Sequence, residues 1–171
     1  MRRAWPFALL CAAVLTLPAC QLTPIYAGGS RGVAATTLSQ IEVAPIPERS
    51  GFLLREELVR RLGEPQAARY RLEVALDDQI TGFGLRGGSA VTRSRRTLRA
   101  RYRLIDTTTD AVVLDAAAGS DAGIDVVASS EFAVVAAEQS ALERLAVELA
   151  DQITARVALW AQQRPAAATQ P

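Results

Sequence analysis

From Arg93 to Leu104 the chain alternates so regularly that few folds can accommodate it. Leu98, Ala100, Tyr102 and Leu104 fall on even numbers, and Arg93, Arg95, Arg99, Arg101 and Arg103 on odd ones. A period of two is that of a β-strand with one face on a core and the other toward water. Tyr70-Arg71-Leu72-Glu73-Val74-Ala75-Leu76-Asp77 alternates in the same sense. Asp106-Thr107-Thr108-Thr109-Asp110 reads as a turn, and Ala111 to Ala117 as a returning strand, so these segments predict an antiparallel meander.

Two helical periods flank the meander. Leu54, Leu58 and Leu62 recur every fourth residue, with Ser50 as the expected cap of a helix over 51–62 and Gly63 followed by Pro65 to stop it. Leu142, Leu145, Leu149, Ile153, Val157 and Trp160 give a long helix with one apolar stripe, capped by Ser129 or Ser130. Before the first helix, Ile41-Glu42-Val43-Ala44 is a short strand closed by Pro45 and Pro47. The expected fold is therefore α+β, with two helices packed on one face of a mainly antiparallel four-stranded sheet and the other face left polar.

The N-terminal residues stand outside that domain. Arg2 and Arg3 precede an apolar stretch from Ala4 to Leu17, too short to span a bilayer, and Leu17-Pro18-Ala19-Cys20 resembles a bacterial lipobox. Residues 1–19 are expected to be a cleaved lipoprotein signal peptide. Cys20 then carries the only cofactor-like group foreseen, a covalent N-acyl and S-diacylglycerol anchor. Several acyl chains are needed for a stable hold, since each buried methylene contributes only about 0.8 kcal/mol. Gln21, which is not aspartate, fits sorting to the outer membrane. Residues 20–39 are rich in Gly, Ala, Ser and Thr and read as a tether, 40–162 as the domain, and 163–171 as a disordered tail.

Composition narrows function further. The 171 residues contain no histidine, lysine or asparagine, and all 19 basic residues are arginine, which leaves out most histidine chemistry, zinc sites and lysine nucleophiles. Cys11 leaves with the signal, so one mature chain holds no disulfide. The mature chain carries 17 arginines against 18 acids, too even a balance to call for nucleic acid. Gly82-Phe83-Gly84-Leu85-Arg86-Gly87 spells GxGxxG, but no helix follows, so it reads as a flexible hairpin connection. Asp77-Asp78 and the Asp121, Asp125 pair are too sparse for a calcium loop and read as turn acids. No metal site is expected.

The functional signal is the arginine row. Between Gln79 and Ile105 there is no acid, and Arg93, Arg95, Arg99, Arg101 and Arg103 share one strand face, with Arg86 and Arg96 as weaker candidates. Glu73 and Asp77 on the preceding strand offer cross-strand pairing as one reading of the row; two acids do not neutralise five arginines, so an external anion is the favoured one, and guanidinium groups suit phosphate.

Taken together, the residues after Cys20 resemble the LptE family of LPS-assembly lipoproteins. The resemblance runs through Cys20-Gln21-Leu22-Thr23-Pro24-Ile25-Tyr26, Ile41 to Arg49, the Phe52 to Leu62 helix, the Tyr70-x-Leu-x-Val strand, Tyr102-x-Leu104-x-Asp106 and the Ser129 to Trp160 helix. It implies a non-enzymatic outer-membrane lipoprotein that sits as a plug in the LptD β-barrel, assists its assembly and binds lipopolysaccharide, with the arginine row as its contact and no catalytic residue. An auxiliary lipoprotein of a lipid-transport ABC system is the alternative reading, and a periplasmic hydrolase the least favoured.

Overall fold

The structure is a computed structural model that describes residues 33–65, 67–86, 90–125 and 131–163. In chain order the elements are α1 (Val33–Leu38), β1 (Ile41–Val43), α2 (Glu48–Leu62), β2 (Tyr70–Arg86), β3 (Ala90–Asp106), β4 (Ala111–Asp125) and α3 (Glu131–Gln163). The strands form one sheet in the order β1-β2-β3-β4. β1 runs parallel to β2, a pairing that needs a crossover, and α2 supplies it; β2, β3 and β4 are the antiparallel meander.

The fold class agrees with the sequence, but there are three helices where two were expected. The third, α1, falls within the stretch read as tether. Val33, Thr36 and Thr37 are weak helix formers and six residues are too few for a helix to stand alone, yet Leu38 is buried in the core and α1 packs on α3, so tertiary burial holds the turn. The Gln40 carbonyl then accepts from the amides of Arg69 and Tyr70 at 3.0 and 3.1 Å, which fixes β1 beside the start of β2.

Both long strands outrun their alternating segments. β2 continues past Asp77 to Arg86 because nearly every residue finds a ladder partner on β3, from Asp78 opposite Leu98 to Arg86 opposite Ala90. Most of the GxGxxG segment therefore lies within a strand, with only Gly87 outside the described residues; the expected connection is corrected by pairing that overrides the low strand preference of glycine. β4 likewise extends from Ala117 to Asp125 along β3. A bulge at Leu104/Ile105 leaves Val113 of β4 as the extra residue, and Ile105 beside it is buried. In the turn that follows, Asp106 Oδ1 accepts from the Thr108 amide at 3.0 Å, and Asp110 takes a φ of 57° that a short acid tolerates.

α2 begins at Glu48 after Pro47, with no side-chain cap, so Ser50 is a buried residue of the first turn and not the cap expected. Gly51 brings that turn against the preceding loop: a Cβ there would lie 2.6 Å from Ile46 Cγ2 and 2.9 Å from the Ile46 carbonyl carbon and oxygen. The helix stops at Gly63, whose φ of 83° suits glycine and whose amide donates to the Val59 carbonyl at 2.8 Å.

The core is the layer between the helices and one face of the sheet, formed by Ile41 and Val43 of β1 and by even-numbered residues of β2 and β3. Leu54 and Leu58 of α2, Leu72 of β2, Leu98 and Leu104 of β3 and Leu149 and Ile153 of α3 are each wholly buried. α3 caps of Ser129 and Ser130 lie outside the described residues. At its other end the Trp160 ring meets Tyr70 edge-on, 5.2 Å between centroids. Arg61 joins the two long helices: Nε donates to Asp151 Oδ1 at 2.7 Å and Nη1 to Glu57 Oε2 at 2.6 Å, and the Asp151 hydrogen bond is the main reason its pKa lies above the ordinary arginine value.

Candidate functional site

With the helices on one side, the sheet presents its odd-numbered face to solvent. Arg93, Arg95, Arg99, Arg101 and Arg103 all lie on it and are exposed, as their parity requires. Arg96 has the opposite parity and faces the helices, where Asp78 and the Glu138 carbonyl take it up. Arg86 closes β2 opposite Ala90. Cys20 lies outside the described residues.

The expected shortage of internal counter-charge is corrected by β4. Arg93 Nε donates to Asp125 Oδ1 at 3.0 Å, and Arg95 Nε lies 3.5 Å from Asp121 Oδ2. Arg101 donates twice to Asp115, from Nε at 3.2 Å and from Nη2 at 3.0 Å. Arg103 Nη2 donates to Glu73 Oε2 at 3.0 Å. Asp121 and Asp125, expected in turns, are strand residues facing the row. Their alternation was faint because Ala and Gly fill most of the positions between them, and small side chains carry little periodic signal.

Arg101 and Asp115 perturb each other. The hydrogen bond from Arg101 is the largest cause holding the Asp115 carboxyl below the ordinary aspartate range, and the same contact raises Arg101. Asp78, also read as a turn acid, lies on β2 and belongs to the helix-facing side.

Arg99 differs from its neighbours. Among the described residues it has no ion-pair partner. Its register neighbours are Asp77 on β2 and Gly119 on β4, and the Asp77 carboxylate is held by Gln79 Nε2 at 3.1 and 3.3 Å. Between Arg99 and Arg101 the face dips into an open depression of about 530 Å³ over Ala75, Ala117 and Gly119. A second of about 660 Å³ continues past Arg101 and Arg103 to Pro45.

The open face thus gathers five exposed arginines, four of them beside carboxylates, over two shallow depressions. Among the described residues no three His, Cys, Asp or Glu side chains gather as a metal site, and no helix is long and apolar enough to cross a membrane. A helix-backed sheet with one open, charged face defines a binding module. The LptE family model, lipopolysaccharide-assembly, matches residues 38–157. A lipoprotein of Caulobacter crescentus CB15 is 30% identical, over 80% of this chain and 100% of that one, with a TM-score of 0.66. Rare lipoprotein B of Shewanella oneidensis shares the fold at 11% identity, covering 70% of this chain and 92% of its own, with a TM-score of 0.55. Lipoprotein B of Nitrosomonas europaea does so at 14% identity, covering 72% and 83%, with a TM-score of 0.57. No curated protein matches the chain.

The chain belongs to the LptE family. It is accordingly a non-enzymatic lipoprotein of the outer membrane, facing the periplasm and barrel lumen.

Proposed function

We propose that the domain is a plug within an LptD-like outer-membrane β-barrel, assists the assembly of that barrel, and receives lipopolysaccharide on its open sheet face for delivery to the outer leaflet. The acylated Cys20 tethers it to the membrane. Arg93, Arg95, Arg99, Arg101 and Arg103 are the contacts. The observation that carries this reading is the two-sidedness of the sheet: every long apolar stripe is spent on the helices, while five arginines stand together on the opposite face.

The cross-strand carboxylates fit the role. Exposed ion pairs contribute only about 0–1 kcal/mol each, so they keep the row neutral and soluble while yielding to a ligand phosphate of higher charge. An interaction of this kind weakens as ionic strength rises.

The test is to express the full-length chain with a C-terminal tag in its own host, solubilise the outer membrane and identify what copurifies. A large β-barrel in roughly equal amount is the expected result. Recovery without a barrel, or with inner-membrane transporter subunits, would overturn the plug reading in favour of the auxiliary-lipoprotein one.

A further inference from the structure

We infer that the depression beside Arg99 seats one phosphate together with the apolar body that carries it, and that Asp77 opposes the site and sets its affinity. The inference rests on the reading of the open face given above and assigns parts within it.

Arg93, Arg95, Arg101 and Arg103 each have a carboxylate within 4.0 Å. An anion arriving at any of them meets the charge of that carboxylate and a guanidinium with part of its donors already engaged. At Arg99 there is no such carboxylate among the described residues, so its planar fork is available to two oxygens of a phosphate at once.

The surroundings explain why this arginine is left so. On β4 its neighbour is Gly119, where an acid at the corresponding place would have paired with it. A Cβ on Gly119 would touch Arg99 Cγ at 3.6 Å and the Leu98 carbonyl oxygen at 3.4 Å, so glycine leaves the Arg99 stem room to move. On β2 its neighbour is Asp77, whose carboxylate is engaged by Gln79.

Arg101 leans to Asp115, and its register neighbours Ala75 and Ala117 floor the depression with methyl groups. A bare inorganic ion gains nothing from that floor. A phosphate attached to a sugar ring or saturated chain gains apolar contact next to its charge contact. Asp77, facing Arg99 across the ladder, repels the same phosphate.

The test uses full-length protein in detergent, labelled lipopolysaccharide, and the same lipopolysaccharide with its phosphates removed. Wild type is expected to bind the phosphorylated form about tenfold more tightly. Arg99→Gln should bind both forms alike, and Asp77→Asn should bind the phosphorylated form several-fold more tightly than wild type does. Ala117→Leu should weaken both forms, and inorganic phosphate should compete only weakly. A gain in affinity at Asp77→Asn cannot come from damage to the fold.

Retention of the phosphate preference by Arg99→Gln, or weaker binding by Asp77→Asn, would overturn the assignment while leaving the open face as the binding surface. Strong competition by inorganic phosphate would overturn the role of the methyl floor. If wild type bound neither form, the reading of the open face would fall and the inference with it.

Discussion

Arg96 holds Asp78 by both carboxylate oxygens, Nε to Oδ1 at 2.9 Å and Nη2 to Oδ2 at 2.6 Å, while Nη1 donates to the Glu138 carbonyl at 3.1 Å. Both side chains are only 14% exposed. One arginine thus ties β2, β3 and the N-terminal part of α3 together. Arg96→Gln should lower stability by about 2–3 kcal/mol in chemical denaturation, less than for a fully buried pair, and Asp78→Asn added to it should cost little more. Lipopolysaccharide binding by the folded fraction should not change, because Arg96 faces away from the open side.

Gly51→Ala should be among the most damaging single-carbon additions in the domain. Its new methyl group would fall on the Ile46 main chain, which cannot rotate aside, so α2 must shift from the loop it packs against. Overpacking of this kind costs about 1–3 kcal/mol, and a lower thermal midpoint is the readout.

Thr154 makes the opposite case. Its Oγ1 is buried in α3 with no hydrogen-bond partner among the described residues. Thr154→Val keeps the shape and removes the unsatisfied hydroxyl, so the variant should be more stable by about 1 kcal/mol. Equal or lower stability would show that the hydroxyl is satisfied in solution.

Acid should loosen the open face at Asp115. Its carboxyl pKa is lowered in the fold by the hydrogen bond from Arg101, so the pair adds stability above the ordinary aspartate value of about 3.9 and loses it as the pH falls through the lower folded value. Arg101→Gln should make the acid limb of the stability curve shallower below about pH 4 and leave the neutral region nearly unchanged. The Asp115 carboxyl shift followed by NMR should move toward the ordinary value in that variant.

The even and odd parities of β3 were legible in the sequence because leucine, tyrosine and arginine make strong contrasts. They placed the arginine row on the solvent side, and Leu54, Leu58 and Leu62 placed α2 on the core. The counter-charges on β4 were not legible. Ala117, Gly119 and Gly123 blur the alternation around Asp115, Asp121 and Asp125, and only the register with β3 brings those acids to Arg101, Arg95 and Arg93. That same register isolates Arg99, a fact no count of charges could give. α1 was missed for a related reason, since it packs on α3, an element far along the chain.

On this account the helix side of the sheet holds the fold and the open side meets the ligand. Photo-crosslinking in living cells tests it most directly, with the reactive side chain placed at Thr97 on the open face or at Glu143 on α3. Adducts with lipopolysaccharide from position 97, absent from position 143, are the result expected. Lipopolysaccharide adducts from position 143 alone would contradict the account.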